Sequence, residues 1–247
     1  MQLPQASILP FSRAQQLVVD GAERALRDYL AKHPNASAQD IADLIADLTE
    51  TGYEVDTELA AALYNGLRAA HPELPAYSAV ISANVIERQY ILKAVESALS
   101  LSGETSYIDR LVGSMSRWIM QGARDTIRDN AKSDSIANNI KVRWARVPQG
   151  TNTCGFCIML ASRGFVYHTE ETAGGFGNQY HNDCDCLPIP GFEGDTLEGY
   201  DPDSYYAIYE AMKDSSKVGA FSWNTLMGSH FDTSDVDATI RLISPLE

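Results

Sequence analysis

The sequence has no long hydrophobic run, and none of its segments is predicted to cross a membrane. No stretch of about 18 consecutive apolar residues occurs. The first residues, MQLPQASILPFSRAQQ, lack the basic leader and apolar core of a secretory signal. We therefore expect synthesis in a reducing cytosol, where clustered cysteines are more often metal ligands or catalytic groups than disulfides.

Positive charge is scarce, above all in the second half of the chain. The 247 residues carry 19 Lys and Arg against 33 Asp and Glu, for a net charge of −14. Residues 151–247 contain 4 basic and 15 acidic side chains, whereas residues 1–150 contain 15 and 18. Because phosphate contacts depend on Lys and Arg, the second half is not expected to bind a nucleic-acid backbone. Its charge suits a solvated surface or a basic protein partner.

The first half of the chain has the apolar periodicity of helices. Ser37 and Asp40 have the spacing of a capping box at the start of one of them. Gly103 is a natural terminator between the last two. The predicted helical segments are 13–31, 37–48, 56–71, 82–101 and 106–131. This half is expected to form a helical bundle or an extended arm.

The pattern changes near Lys141. The segment IKVRWARVP alternates and is rich in β-forming residues, which predicts a strand that ends at Pro148. Short helices are predicted to begin at Asp201–Pro202 and near Ser234. The predicted fold class is therefore α+β, with a helical domain over residues 1–137 and a small zinc-stapled α+β domain over residues 138–247.

All four cysteines fall in one stretch, in the pattern C-x2-C, 23 intervening residues, H-x2-C-x-C. Two such paired turns can close a tetrahedron around a zinc ion, as in structural zinc sites. The predicted ligands of one structural zinc ion are Cys154, Cys157, His181, Cys184 and Cys186. These are five candidates for four places, and spacing alone leaves the choice open.

Three other interpretations of the cysteine cluster stay open. CGFC has the form of a thioredoxin-like dithiol, although the βαβ frame of that fold is missing. Two disulfides would suit an extracellular particle. A catalytic site is the third, but the motifs of zinc deaminases and zinc proteases are absent. A general base beside such a metal would have to come from His168, Glu170 or Glu171.

Basic side chains recur along the predicted helix over 106–131. Arg110, Arg117, Arg124 and Arg128 are seven, seven and four residues apart, so they share one broad helix face. Acidic neighbours favour a solvated face, and the alternative is a stripe that contacts DNA or an acidic partner.

Three segments resemble the minor head proteins of tailed phages related to the Mu F protein, in the form found in actinobacterial phages and prophages. They are WARVPQGTNTCGFCIMLASRGFVYHTEETAG, YHNDCDCLPIPGFEG and GYDPDSYYAIYEAM. The resemblance covers roughly residues 125–215. It implies a metal-binding set at the same five Cys and His positions and no catalytic residue. Between the last two cysteines this chain has Asp185 where the family often has Arg.

This resemblance implies a structural minor capsid protein rather than an enzyme. Such a protein would be located in the phage head and, during assembly, in the host cytoplasm. Its partners would be the portal protein, the major capsid protein or both, and it would act in head morphogenesis and in DNA packaging or delivery. The alternative is a zinc-containing DNA-processing or toxin-like enzyme delivered with the phage genome.

Overall fold

The structure is a computed structural model that describes residues 1–101, 106–168, 184, 186–192 and 194–244. Helices dominate the first half of the described chain, and short strands occur mainly in the second half. The predicted α+β class with a helical first half is therefore confirmed. None of the described helices is long and apolar enough to cross a membrane.

The described residues form nine α-helices and six strands. The helices are α1 Leu9–Lys32, α2 Ala38–Arg68, α3 Arg88–Ser100, α4 Tyr107–Ile119, α5 Gln121–Asn138, α6 Gly155–Ala161, α7 Pro202–Lys217, α8 Trp223–Gly228 and α9 Val236–Ile243. The strands are β1 Gln2–Leu3, β2 Val142–Val147, β3 Asn152–Cys154, β4 Leu187–Phe192, β5 Thr196–Leu197 and β6 His230–Asp232.

The described chain divides into two compact units. The helical unit contains residues 8–130, and the second unit contains residues 1–7 and the described residues from 131 onward. The sequence places its domain boundary between residues 137 and 138. It does not predict that residues 1–7 join the second unit, where β1 pairs in parallel with β5.

Helix α2 is one long helix, whereas the sequence predicts two. Its start is as predicted, because the Ser37 hydroxyl accepts from the Asp40 N–H and the Asp40 carboxylate accepts from the Ser37 N–H. The helix then continues through Gly52. A Cβ at Gly52 would lie 2.8 Å from the Ile119 side chain, so glycine here allows α4 to approach α2 closely.

Helix α3 begins later than the predicted residue 82, because side chains of the helical unit bind the preceding backbone. The Asn130 amide accepts from the Val80 N–H and donates to the Val80 carbonyl. The Thr126 hydroxyl accepts from the Ser82 N–H at 3.2 Å. These bonds hold the segment before Arg88 outside a helix.

The predicted helix over 106–131 is two helices, α4 and α5, separated at Met120. Asp56 on α2 accepts a hydrogen bond from the Ala123 N–H, in the first turn of α5. A side chain from a distant helix thus caps the new helix start. The apolar core of this unit comes from α1 to α4 and includes Leu26, Ile45, Val95 and Met115.

The predicted strand that ends before Pro148 is confirmed as β2, which pairs antiparallel with β4. Pro188 and Pro190 lie at alternate β4 positions, opposite Arg146 and Trp144. Proline has no backbone N–H to donate. Because the two prolines occupy alternate positions of β4, the residues between them can still form backbone hydrogen bonds with β2. On the other edge of β2, Trp144 exchanges two backbone hydrogen bonds with Tyr167.

A helical layer completes the second unit. Its apolar cluster comprises Ile158 of α6, Ile208 and Met212 of α7, Leu226 of α8, Phe231 of β6 and Ile243 of α9. Helix α7 starts at the predicted Asp201–Pro202, where Asp201 accepts from the Asp203 N–H. Helix α9 starts close to the predicted Ser234, with Asp235 as its N-cap. This layer positions α6, whose N-cap and first turn carry the first cysteine pair.

Candidate metal centre

The first cysteine pair lies where strand β3 turns into helix α6. Cys154 ends β3 and caps the helix: its backbone is extended, and its Sγ accepts from the Cys157 N–H at 3.3 Å. Strand β3 is held in place by antiparallel pairing with β6. The turn therefore presents Cys154 at the helix cap and Cys157 in the first turn, on neighbouring positions.

Gly155 is required by sterics at this turn. A Cβ there would lie 2.2 Å from the Leu226 carbonyl oxygen and 2.6 Å from the Met212 Cε. The Gly155 N–H also donates to the Ser229 carbonyl at 2.9 Å. The glycine of CGFC is thus explained by close packing of α6 against the end of α8.

The second cysteine pair lies just before β4. Cys186 directly precedes the strand, and Cys184 lies two residues earlier. In the β2–β4 register, Leu187 is opposite Val147 and Pro188 is opposite Arg146. The end of β2 therefore lies beside the second cysteine pair.

The structure brings Cys157 of the first pair together with both cysteines of the second pair. The Sγ atoms of Cys157, Cys184 and Cys186 all lie within 4.8 Å of one another. Cys157 and Cys184 have their Sγ atoms 3.4 Å apart, longer than the roughly 2.05 Å of a disulfide bond. All four cysteines are buried; the most exposed, Cys184, is 6% accessible.

Mutual contact and burial raise the thiol pKa values of Cys157 and Cys186. The pKa of Cys157 is well above its usual value because its thiol is hydrogen-bonded with Cys154, Cys184 and Cys186, and because it is buried. The pKa of Cys186 is raised mainly by burial and also by Cys184, whereas a hydrogen bond with Cys157 and, to a smaller extent, the Arg146 cation lower it. Without a metal ion, these effects favour the protonated form of Cys157 and Cys186.

The sulfur spacing fits a tetrahedral metal ion. Thiolates about 2.3 Å from a zinc ion lie roughly 3.8 Å from each other at tetrahedral angles. The three Sγ atoms already lie within a similar range. Cys154, the fourth candidate, lies outside this group, although its Sγ accepts from the Cys157 N–H at 3.3 Å. A sulfur-only donor set suits soft or borderline ions such as Zn²⁺ rather than Mg²⁺ or Ca²⁺.

Arg146 is a component of the centre that the sequence does not predict. Its side chain is fully buried. Its Nη2 donates to Cys184 Sγ at 3.5 Å and to Cys157 Sγ at 3.7 Å, and the guanidinium lies over the Phe156 ring. The sequence does contain one indication that Arg146 is buried. In the alternating strand VRWARV, Arg146 lies on the same face as Val142 and Trp144.

Two further sequence predictions concern histidine and glutamate. His181, the fifth predicted ligand, lies outside the described residues, as do Glu170, Glu171 and Asp185. His168 is described and is solvent-exposed. The structure therefore describes the positions of the four cysteines, but it does not show whether His181 could be a ligand.

The four predicted stripe arginines differ in exposure. Arg124 is 4% accessible and donates to the Arg117 carbonyl, and the Arg117 guanidinium lies 5.8 Å from the Trp118 ring. Burial lowers the pKa of Arg117, with a smaller contribution from the Arg124 cation. Arg128 forms ion pairs with Asp125 and Asp129, and Arg110 donates to the Leu101 carbonyl. Contact of these residues with DNA or an acidic partner stays a prediction.

Comparison with curated proteins indicates the class of protein. The chain is 28% identical over 178 residues to the Gene 15 protein of Mycobacterium phage L5, covering 56% of this chain and 60% of that protein. It is 24% identical over 163 residues to the Gene 15 protein of Mycobacterium phage D29, covering 53% and 58%. The chain thus spans about three fifths of the length of these relatives. They indicate a phage protein.

The family is shown by a wider match. The family model described as VG15 protein matches residues 3–212, most of the chain, so the chain belongs to the VG15 protein family. No solved structure matches the chain. The phage source expected from the sequence is supported, whereas the relation to the Mu F protein stays a prediction.

Proposed function

We propose that this chain is a structural protein of a phage head whose buried cysteines hold one structural zinc ion. The observation that carries the proposal is the clustering of three Sγ atoms within 4.8 Å at a fully buried site. A catalytic zinc site keeps a position open to substrate or water, whereas a structural site is closed by protein ligands. The burial of all four cysteines favours the structural role.

The proposed ligands are Cys154, Cys157, Cys184 and Cys186. Together they would join helix α6 to the start of β4 through one ion. Cys157 and Cys184 are 27 residues apart in the chain, so the ion would close a long loop. Because the ion would bind the folded chain and not the unfolded one, its binding free energy would add to the stability of this domain. A set of three cysteines with His181 is the alternative.

The family and the charge support the location and the partners that we propose. Curated relatives of the chain are phage proteins. The resemblance of the second half to Mu F-related minor head proteins points to attachment near the portal or the inner capsid shell. Residues 151–247 carry 4 basic and 15 acidic side chains, which favours protein partners over packaged DNA. The portal protein and the major capsid protein are the proposed partners.

Particle association tests the proposal directly. The chain would be quantified by mass spectrometry in density-purified particles, empty heads and lysate supernatant of the phage or prophage that encodes it. A head component is expected at a constant low copy number in both filled and empty heads. Recovery of the chain in the supernatant alone would contradict the structural assignment.

A nuclease assay separates this proposal from the enzymatic alternative. Purified chain would be incubated with plasmid DNA and Zn²⁺, Mg²⁺ or Mn²⁺, beside a Glu170→Ala/Glu171→Ala variant. We expect no cleavage by either protein. Metal-dependent cleavage that the double variant loses would instead establish a DNA-processing enzyme.

A further inference from the structure

A buried cation lies against the cysteine cluster, on the end of strand β2. Arg146 is 0% accessible, and its Nη2 lies 3.5 Å from Cys184 Sγ and 3.7 Å from Cys157 Sγ. These two sulfurs belong to different cysteine pairs, one on helix α6 and the other before β4. A single donor group therefore bridges both halves of the proposed ligand set.

The chemistry of sulfur indicates what this contact is for. A neutral thiol is a weak hydrogen-bond acceptor, so a protonated cysteine binds a guanidinium only weakly. A thiolate is an anion, and its hydrogen bond with a guanidinium is charge-assisted and considerably stronger. The position of Arg146 is therefore most favourable when the cysteines are ionised, which is their state when they bind a metal ion.

Charge balance leads to the same conclusion. Three or four thiolates around a divalent ion carry a net charge of −1 or −2 in a site that excludes water. Buried charge is tolerated when it is paired and hydrogen-bonded. One fixed arginine cation removes one unit of that excess and keeps its own charge at every physiological pH.

We propose that Arg146 is the positioning residue of the metal centre, neutralising thiolate charge and orienting Cys157 and Cys184. This inference rests on the proposed structural zinc ion. It assigns a role to a side chain outside the ligand set, as outer hydrogen-bond donors have in other metal sites. It also adds strand β2 to the elements that the metal would hold together.

The matched control lies on the same strand. Arg143 is three residues from Arg146 and therefore points to the opposite face of β2. Its Nη1 donates to the Val142 carbonyl at 2.7 Å. Arg143→Met removes the same charge and makes the same change in side-chain volume as Arg146→Met. It does so on the same strand but away from the cysteines.

The test measures metal binding by the full chain, using Zn²⁺ in chelator competition and Co²⁺ as a spectroscopic probe. Arg146→Met is expected to weaken Zn²⁺ binding by about 10- to 100-fold, the usual effect of losing an outer-shell partner. Arg146→Lys should recover part of the loss, and Arg143→Met should bind within about threefold of wild type. The thiolate-to-Co²⁺ charge-transfer band should shift in both Arg146 variants and not in Arg143→Met.

The outcomes separate this inference from the metal proposal. If wild type binds no Zn²⁺, both fail. If wild type binds Zn²⁺ and the folded Arg146→Met variant binds equally well with an unchanged Co²⁺ spectrum, the metal proposal survives and the role of Arg146 is refuted. If Arg146→Met does not fold, Arg146→Lys is compared with Arg143→Lys. An affinity loss and band shift confined to Arg146→Lys would support the role, and equal behaviour would refute it.

Discussion

At the scale of single residues, Asp56 in the helical unit is a buried carboxyl group with both oxygens hydrogen-bonded. Its Oδ1 accepts from Gln15 Nε2 at 2.8 Å, and its Oδ2 accepts from the Ala123 N–H at 2.7 Å. Burial raises the pKa of Asp56 to about 7, although both bonds and the Arg124 cation oppose the rise. The folded chain thus keeps a proton that the unfolded chain releases near pH 4.

The sign of the pH effect follows from that proton. Between about pH 4 and pH 7 the folded state binds more protons, so Asp56 makes the free energy of unfolding fall as pH rises. A pKa of about 7 against an ordinary 3.8 sets an upper limit of about 4 kcal/mol on this loss. Above about pH 7 the contribution levels off.

Asp56→Asn should therefore be more stabilising, relative to wild type, at about pH 8 than at about pH 5. Asparagine stays neutral, and its amide can accept from Ala123 and donate to a flipped Gln15 amide. We expect the difference in unfolding free energy to change by about 1 to 3 kcal/mol between the two pH values. Urea unfolding followed by circular dichroism at each pH measures it. Asp28→Asn, on the exposed surface of α1, is the control, and an equal change in that variant would contradict the role of Asp56.

Individual residues also show how far the sequence could predict the site. The four cysteines could be found because their type and spacing are characteristic of metal ligands. Asp56 and Arg146 could not, because their roles depend on burial against residues distant in the chain. A charged residue inside an apolar alternation, as in VRWARV, is the one local signal that pointed to Arg146.

At the scale of elements, helix α6 is positioned by close packing rather than by its length. It spans seven residues, and its N-terminus approaches α8 so closely that no side chain fits at Gly155. The same contact determines where Cys154 and Cys157 lie. Packing at α6 therefore supports the cysteine cluster.

Gly155→Ala should destabilise the second unit by about 2 to 3 kcal/mol, because the new methyl group would overlap the Leu226 carbonyl. Thermal unfolding of the full chain measures the loss. The control is Gly228→Ala at the end of α8, where a Cβ would meet no atom within 4 Å. Its effect is expected to stay within about 0.5 kcal/mol, as for ordinary surface substitutions. Equal stability of the two variants would contradict the packing argument.

Helix starts were predictable where the cap is local in sequence. The Ser37–Asp40 capping box and the Asp201–Pro202 start are set by residues within one helical turn. The late start of α3 and the break at Met120 were not predictable. They depend on Asn130, Thr126 and Asp56, which bind backbone groups 44 to 67 residues away.

At the scale of the whole molecule, the chain separates a well-packed helical unit from a second unit assembled from distant segments. Strand β1 at the start of the chain pairs with β5, and β2 pairs with β4 about 45 residues later. Short strands paired over such separations carry little local signal, which is why periodicity and alternation predicted the α+β class but not the pairing. A metal ion that joins α6 to β4 would offset part of the entropy lost in closing these loops.

The most direct test of the account is metal content by native mass spectrometry of the full chain, purified without chelator, with thiol titration before and after chelation. We expect one Zn²⁺ per chain and four thiols that become reactive only when a chelator removes the ion. If His181 replaces a cysteine, one thiol should react before chelation. A metal-free chain with freely reactive thiols, or one with two disulfides, would contradict the proposed zinc centre and with it the role of Arg146.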